Sequence, residues 1–308
     1  MSSILSCIFI IIVLQLHIKE SDIMLIMYLR FPGGKPKAVT FSYDDGCQQD
    51  VRLANTLDRY NMKGTFNLTR FENRKPTDRI ISLQDAKEHI LNKGHEIATH
   101  GYNHLASGAV HDFTGIQDVI NCRLHLEKEF GVIVRGMAYA TSGVKHFHNF
   151  ANYEKVKNYL TYLGIAYARS TADNNSFYLP TDWHKWETTG HHNNPRLMEY
   201  IDEFLAIDSE KTMTGVNRMP RLFFVWGHSR EFDNDNNWDR LEEICSKLSN
   251  KDNIWYATNI EIYDYVKAYE SLVMSADRKI IYNPSNQTVW FDIDGTLYSV
   301  APGETLKR

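Results

Sequence analysis

Short apolar runs alternate with longer amphipathic segments through most of the chain. Runs of apolar and β-branched residues that end at turn residues predict seven strands. These strands are Ala38–Tyr43, Gly64–Leu68, Glu96–His100, Ile133–Tyr139, Ile165–Ser170, Arg221–His228 and Ile254–Thr258. Apolar residues three and four positions apart predict the intervening helices, which are Gln48–Tyr60, Leu83–Asn92, Thr114–Phe130, Phe150–Leu163, Pro195–Ile207, Trp238–Leu248 and Asn259–Met274. This alternation indicates an α/β fold with a parallel sheet, and seven repeats favour a barrel over an open sheet.

The C-terminal end departs from this alternation. Three short strands are predicted at Lys279–Tyr282, Gln287–Asp292 and Thr296–Val300. We therefore expect a main domain over residues 27–275 and a small C-terminal β extension over residues 276–308. Phe291–Leu297 also matches the nucleophile motif of haloacid-dehalogenase-type phosphatases, but that chemistry needs a lysine and acidic residues further along, and only eleven residues follow. A hairpin turn at Asp294-Gly295 accounts for the same residues.

Residues 1–26 form a hydrophobic N-terminal extension. Its apolar run, Ile4–Leu16, is thirteen residues long, short for a membrane span, with no positive residue before it and no small-residue cleavage site. It admits three interpretations: an atypical secretion signal or anchor, a hydrophobic extension, or a segment upstream of the working start. Met27 opens the domain naturally and favours the third. A start near Met27 predicts a cytoplasmic protein, and the first interpretation predicts a secreted or membrane-anchored one.

Composition is that of a globular protein with one large core. Of 308 residues, 43% are apolar and 23% charged, which argues against disorder. The formal net charge of −4 offers no basic surface for nucleic acid or an anionic membrane, so neutral sugars or small amides are better substrates. Four scattered cysteines, Cys7, Cys47, Cys122 and Cys245, indicate neither a disulfide framework nor a paired zinc motif.

Two polar clusters follow predicted strands and carry the candidate chemistry. Asp44 and Asp45 close the first strand, and His100 and His104 follow the third. Ionised groups at the end of a buried strand need a partner, and a divalent cation would supply one. Imidazole and carboxylate suit Zn²⁺, with Co²⁺, Ni²⁺ or Mn²⁺ as alternatives, and two His plus one carboxylate leave positions open for catalysis. Adjacent Asp side chains diverge, so one is expected to bind metal and the other to act as a general base.

These clusters resemble two motifs of the polysaccharide deacetylases of carbohydrate esterase family four, which include the chitooligosaccharide deacetylases. Thr40–Gly46 is similar to the first motif and Thr99–His104 to the second, and the resemblance covers roughly Phe31 to Leu272. It implies a distorted, incomplete (β/α)7 barrel with the site at the carboxyl ends of the strands. Carried over by position, Asp44 is the general base, and the metal ligands are Asp45, His100 and His104. Trp226-Gly227-His228 is similar to the last motif, which makes His228 the general acid.

The two middle motifs of the family fit less closely. Arg135 to Tyr139 is a loose counterpart of an Arg-x-Pro-aromatic motif, with an extra residue and no proline, and the backbone N–H of Tyr139 or a neighbour is the expected oxyanion donor. Asp182-Trp183 resembles the end of an Asp-x-x-Asp-Trp motif in which Leu179 replaces the first Asp. Asp182 is a candidate to orient His228, and a turn or helix-cap role after Pro180 explains it equally well.

Thr171–Asn194 is a long predicted loop rich in Asn, Trp and His. Its length is typical of a functional or mobile segment. Trp183 and Trp186 are candidates to stack against sugar rings or to plug the barrel mouth, and Trp226 is a further candidate substrate contact. His191 and His192, at the end of the segment, are candidates to approach the metal.

The function expected from these residues is metal-dependent removal of acetyl groups from an N- or O-acetylated carbohydrate. Two alternatives stay open: a metal-independent hydrolase of a small amide in the same superfamily, and a non-catalytic carbohydrate-binding protein. The intact set Asp45, His100 and His104 argues against the first alternative. The intact base and acid, Asp44 and His228, argue against the second.

Overall fold

The computed structural model describes residues 26–71, 79–209 and 218–308. Its strands, numbered in chain order, are β1 Met27–Arg30, β2 Lys37–Asp44, β3 Thr65–Leu68, β4 Glu96–Thr99, β5 Gly136–Ala138, β6 Tyr167–Asp173, β7 Trp186–Thr188, β8 Gly190–His191, β9 Arg221–Gly227, β10 Ile254–Tyr256, β11 Val273–Met274, β12 Ile280–Tyr282, β13 Val289–Ile293, β14 Thr296–Val300 and β15 Thr305–Lys307. All seven strands expected from the apolar runs are present.

The nine strands β2 to β10 form a parallel sheet that curls into an incomplete barrel. Its order is β7-β6-β5-β4-β3-β2-β9-β8, and β10 pairs with the first half of β2. The described strands leave the ring open between β7 and β8. The predicted incomplete (β/α) barrel is therefore confirmed, and the carboxyl ends of its parallel strands share one rim.

Helices lie between the strands as the spacing of apolar residues predicts. They are Asp50–Arg59, Leu83–Asp85, Asp112–Phe130, Tyr153–Tyr162, Leu197–Ala206, Arg230–Asn234, Trp238–Leu248 and Asn259–Glu270. The second continues as a π-helix over Ala86–Ile90 and ends with a 3-10 turn over Leu91–Lys93. The last ends four residues earlier than predicted, since Val273 and Met274 pair with β12 instead.

Strand β2 shows how the sequence divides the two faces of the barrel wall. Val39, Phe41 and Tyr43 pack in the apolar layer beneath the outer helices. The alternate residues face the other way, as the two-residue period of a strand requires. Asn67 on β3 donates to Ser42 Oγ at 2.8 Å. The interior near this rim is therefore polar, although the strand itself is fully buried.

Two small antiparallel sheets complete the molecule. One has the order β1-β13-β14 and the other β11-β12-β15. The predicted hairpin turn is present at Asp294-Gly295, where both residues have positive φ, as a two-residue turn requires. The first sheet joins a strand from residues 27–275 to strands from residues 276–308. The division at residue 275 stays a prediction, and strand pairing crosses it.

The segment Thr171–Asn194 is more ordered than predicted. Strand β6 continues to Asp173, a 3-10 turn covers Trp183–Lys185, and β7 and β8 follow. Strands β7 and β8 are three and two residues long, too short to show a clear pattern of apolar residues. They form the two ends of the barrel sheet.

Within the described ranges, no helix is long and apolar enough to cross a membrane. Ile4–Leu16 and Cys7 lie outside those ranges. The other three cysteines, Cys47, Cys122 and Cys245, are buried and unbridged. This agrees with the absence of a disulfide pattern in their spacing.

Candidate active site

The two adjacent carboxylates separate at the end of β2. Asp44 is the last residue of the strand, and its buried Oδ1 accepts a hydrogen bond from Asn67 Nδ2 at 2.9 Å. Asp45 follows in the left-handed region with φ of +76°, which Asp tolerates better than most residues. The backbone turn gives the two side chains different surroundings: Asp44 contacts the barrel interior and Asp45 the rim.

His100 and His104 lie on the loop that follows β4. Nδ1 of His100 lies 2.9 Å from the carbonyl oxygen of Ala138, a contact that favours the tautomer protonated at Nδ1 and leaves Nε2 free to bind a metal. The loop is held in place by Asp118, which accepts a hydrogen bond from the Asn103 N–H at 2.7 Å. It brings the His104 ring within 4.8 Å of the His100 ring, centroid to centroid.

Asp45, His100 and His104 come together as a set of potential metal ligands. Oδ1 of Asp45 lies 3.4 Å from Nε2 of His100 and 3.1 Å from Nε2 of His104. Tetrahedral bonds of about 2.0–2.2 Å separate the ligand atoms by roughly 3.3–3.6 Å, so these atoms are already close to the spacing that Zn²⁺ needs. Two imidazoles and one carboxylate fit a first-row divalent ion and leave positions open for substrate.

The carboxylates and imidazoles of this group shift each other's pKa values. Burial raises the pKa of Asp45, but hydrogen bonds with His100 and His104 outweigh burial and hold that pKa well below its usual range. Burial lowers the pKa of His100, and the carboxylates of Asp44 and Asp45 more than compensate, so that its pKa lies above the ordinary value. Asp45 is thus ionised, as a metal ligand must be.

Asp44 has a cationic partner that the motifs do not indicate. The buried guanidinium of Arg169, on β6, pairs with Asp44 Oδ2. Arg135, the arginine of the loosely matched third motif, instead forms an ion pair with Asp264, with Nη2 2.8 Å from Oδ1. The carboxylate of Asp44 is therefore fixed on one side by Asn67 and on the other by Arg169.

His228 follows β9 and faces the same rim. Its Nε2 lies 3.8 Å from Oδ2 of Asp45, and its Nδ1 lies 3.1 Å from Oε1 of Glu231. The expected partnership with Asp182 is wrong. Asp182 accepts hydrogen bonds from Tyr153 at 2.7 Å and Lys157 at 2.8 Å, and it caps the 3-10 turn that follows it. Its helix-cap interpretation is the correct one.

Arg230 also lies at the rim. Its Nη1 pairs with Oδ2 of Asp45 and lies 3.4 Å from the Cys47 sulfur. Oδ1 of Asp45 contacts both histidines, whereas Oδ2 contacts Arg230. The two oxygens of this carboxylate therefore have different partners. The arrangement favours metal binding through one oxygen.

A cavity of roughly 310 Å³ opens over these groups. Asp44, Asp45, His100, His104 and His228 line part of it. The remaining wall consists of Tyr139, Thr141, Ser142, Lys145, Thr171, Trp226 and Arg230. This volume lies at the lower end of the usual range for ligand pockets.

Tyr139, Trp183 and Trp186 were also predicted to belong to the site, as an oxyanion donor and as substrate contacts, and their contacts do not fit those roles. The backbone N–H of Tyr139 donates to the Arg169 carbonyl at 2.9 Å, so it is not available as an oxyanion donor. Trp186 is 1% exposed and packs against Phe224 inside the barrel. Trp183 packs edge-to-face on Trp186 and Tyr263. Trp186 therefore belongs to the core, and the half-buried Trp183 packs against it; neither residue lines the cavity.

Arg169 and Glu231 are the functional candidates that sequence reasoning missed. The sequence contains a feature that could have identified each of them. Arg169 is a charge inside the apolar run Ile165–Ser170, and a buried charge needs a partner just as Asp44 does. Glu231 lies three residues after His228, a spacing at which side chains meet on a helical turn.

Comparison with known families agrees with the motifs. Residues 32–165 match the family model described as polysaccharide deacetylase. The match includes the Asp44-Asp45 pair and the His100 to His104 loop. The predicted resemblance to the polysaccharide deacetylases is therefore confirmed. No curated protein sequence matches the chain.

Several solved structures are similar to this chain. The Puue allantoinase is 12% identical, with 76% of this chain and 91% of that chain covered and a TM-score of 0.51. The chitin deacetylase of the fungal pathogen Colletotrichum lindemuthianum is 14% identical, with coverages of 76% and 89% and a TM-score of 0.46. A CE4 family pseudoenzyme from Bacillus anthracis is 14% identical, with coverages of 77% and 68% and a TM-score of 0.44. At 12% identity, the similarity to the allantoinase supports the fold and nothing about function.

Proposed function

We propose that the protein is a metal-dependent hydrolase that removes acetyl groups from an N- or O-acetylated carbohydrate. One observation carries the proposal: a candidate ligand set of Asp45, His100 and His104 lies beside a second, separately held carboxylate, Asp44, with His228 across the same cavity. The match of residues 32–165 to the polysaccharide deacetylase family supports the substrate class.

Asp45, His100 and His104 would hold the metal, and this ligand set suits Zn²⁺. A divalent ion at this position supplies a water of lowered pKa and polarises the acetyl carbonyl. Asp44 accepts the proton of the attacking water as general base. Its contacts with Asn67 and Arg169 hold the carboxylate in a fixed orientation, so that it can accept a proton without moving.

His228 acts as the general acid and gives a proton to the departing amine or alcohol from Nε2. Its Nδ1 faces Glu231 Oε1, so a proton on Nδ1 is held by that carboxylate and the ring keeps its orientation. Thr141 and Ser142, which line the cavity just after Tyr139, are the candidates for oxyanion stabilisation. Trp226 supplies an aromatic face for the sugar ring.

Acetate release from acetylated chitooligosaccharides tests the proposal. We expect the chelated protein to be inactive and to regain activity with Zn²⁺, Co²⁺, Ni²⁺ or Mn²⁺. His104→Ala should lose both the ion at this site and turnover, because two remaining ligands hold the metal poorly. Asp44→Asn should keep the ion and lose on the order of 10²–10⁴-fold in turnover, the usual contribution of a general base.

Three results would count against parts of this scheme. Full activity after exhaustive chelation would exclude metal dependence and favour the metal-independent hydrolase of a small amide. Loss of the ion in Asp44→Asn would reverse the roles of Asp44 and Asp45. Binding of the oligosaccharide by the metal-loaded protein without acetate release would favour the non-catalytic carbohydrate-binding protein.

A further inference from the structure

A second group of metal-ligating side chains lies outside the set just described. It consists of His191, His192 and Glu231. Oε2 of Glu231 lies 3.1 Å from Nε2 of His191 and 3.3 Å from Nε2 of His192. These separations are close to the edges of a tetrahedral site with bonds of about 2.0–2.2 Å, as in the first group.

His192 has no evident structural use for its ring nitrogens. The residue is fully buried, and its ring stacks on those of Phe232 and Tyr43 at centroid distances of 4.2 and 5.7 Å. Neither ring nitrogen has a hydrogen-bond partner among the described residues, since the 3.3 Å approach to Glu231 lacks hydrogen-bond geometry. An unpaired buried polar group is costly, and a metal bond to Nε2 would satisfy it.

The surrounding chain makes room for this imidazole. A Cβ at Gly227 would lie 2.0 Å from Nδ1 of His192, so no other residue fits between Trp226 and His228 without displacing the ring.

The neighbouring imidazole is also held in place, and it faces solvent. Trp226 packs edge-to-face on His191 at 4.8 Å, and Oδ2 of Asp173 accepts the His191 backbone N–H at 3.1 Å. The side chains of His191 and Glu231 are 23% and 26% exposed, so an ion can enter from the surface while His192 forms the buried wall.

We propose that His191, His192 and Glu231 form a second site for a divalent cation of the Zn²⁺ type. Glu231 thereby serves two groups. Its Oε1 faces His228, and its Oε2 faces the new site. The ion would occupy the position between the two imidazoles and this oxygen, with at least one coordination position left for water.

One contact sets the relative affinity of the two sites. The Asn193 N–H lies 3.1 Å from Nδ1 of His191, which favours the tautomer with the proton on Nε2. Binding of the ion through Nε2 requires the other tautomer and releases this hydrogen bond. The second site therefore fills after the first, at higher free Zn²⁺.

Zinc titration of the chelator-stripped full chain by calorimetry tests the proposal without reference to activity. We expect the wild-type protein to bind two ions, and His104→Ala to bind one. His191→Phe keeps the ring contact with Trp226 but offers no ligand nitrogen, and it should also bind one. Combining the two substitutions should abolish both sites. His146→Asn changes an exposed histidine elsewhere and should leave two.

Cobalt spectra of the same variants identify the geometry. Co²⁺ in His104→Ala should give visible bands of a four-coordinate ion, and these bands should vanish when His191→Phe is added. Circular dichroism of each variant checks that the fold is intact. One ion in the wild-type protein, or two ions in His191→Phe, overturns the proposal. Neither result affects the proposed deacetylation, which fails only if acetate is not released.

Discussion

Glu231 shows how much a single carboxylate contributes to the candidate site. It accepts the His228 backbone N–H at 3.1 Å as well as facing the His228 ring. Burial raises the pKa of Glu231, but hydrogen bonds with His191 and His228 outweigh burial and hold that pKa well below its usual range. The residue is thus an ionised partner that fixes both the backbone and the ring of the proposed acid.

Replacing this carboxylate gives a prediction at the scale of one residue. With one equivalent of Zn²⁺, Glu231→Gln should lower turnover on an acetylated amine by on the order of 10²–10⁴-fold, because His228 loses its orienting charge. Turnover on an activated aryl acetate should fall much less, since that leaving group departs without a proton. Asp182→Asn is the matched control.

Comparing turnover on the two substrates distinguishes a loss of His228 orientation from general damage to the fold. Asp182→Asn removes a carboxylate that caps a turn and should change neither rate by more than a few fold. Equal losses on both substrates in Glu231→Gln would mean that the residue supports the fold of the rim rather than His228 as an acid.

At the scale of elements, Glu96 ties three strands to a helix. Its carboxylate accepts hydrogen bonds from Tyr167 Oη at 2.7 Å, Thr65 Oγ1 at 2.8 Å and the Ile260 N–H at 2.9 Å. Burial raises its pKa to about 7, although these three hydrogen bonds partly oppose the shift. The junction of β3, β4 and β6 with the helix Asn259–Glu270 therefore contains a carboxyl group that is half protonated near neutrality.

This pKa predicts a pH-dependent stability. Between the unfolded value of about 4.3 and the folded value of about 7, the folded chain holds a proton that the unfolded chain has lost. The free energy of unfolding should therefore fall as pH rises through this window, by at most about 1.4 kcal/mol per pH unit. Glu96→Gln keeps the shape and should flatten the slope in urea unfolding series from pH 4.5 to 7.5.

An exposed glutamate provides the comparison. Glu203→Gln, on the surface of the helix Leu197–Ala206, should leave the slope as it is in the wild-type protein. An unchanged slope in Glu96→Gln would show that other groups dominate the pH dependence in this range.

At the scale of the whole molecule, the first described strand, β1, pairs with β13 of the C-terminal region. Leu29 of β1 lies opposite Phe291 of β13 in an antiparallel pair. Phe291 is fully buried, in an apolar cluster that includes residues of the helix Asn259–Glu270 and of the C-terminal strands. The Trp290 N–H donates to Tyr265 Oη at 2.9 Å, so the C-terminal sheet is also bonded to the barrel.

These contacts predict that the barrel and the C-terminal sheets unfold together. Phe291→Ala should lower the free energy of unfolding by about 3–5 kcal/mol, because it leaves a cavity in this shared cluster. Urea unfolding followed by tryptophan fluorescence and by circular dichroism should give one coincident transition. Val273→Ala, at a position 57% exposed, should cost less than about 0.5 kcal/mol. Separate transitions for the two probes would show that the sheets are independent.

The order of strands and helices and the candidate ligand set were determined by the sequence alone. Apolar periodicity is a local property, and it predicted seven strands because each is five residues or longer or lies between clear turns. The cluster of Asp44, Asp45, His100 and His104 was predictable because polar groups at the ends of apolar strands are conspicuous and parallel strands bring their carboxyl ends together. The choice of Asp45 as the ligand came from the family resemblance. Strands β7 and β8 were missed, since they lie in the polar segment Thr171–Asn194 and no longer apolar run marks them.

Only the tertiary structure decided which charged groups become partners. Arg169 reaches Asp44 across the barrel interior, and Glu231 rather than Asp182 reaches His228, because curvature of the sheet sets distances between residues that are far apart in the chain. The same closure buries Trp186 in the core and brings β1 to β13. A side chain's neighbours across a barrel depend on strand order and stagger, and neither is encoded in the local pattern of apolar and polar residues.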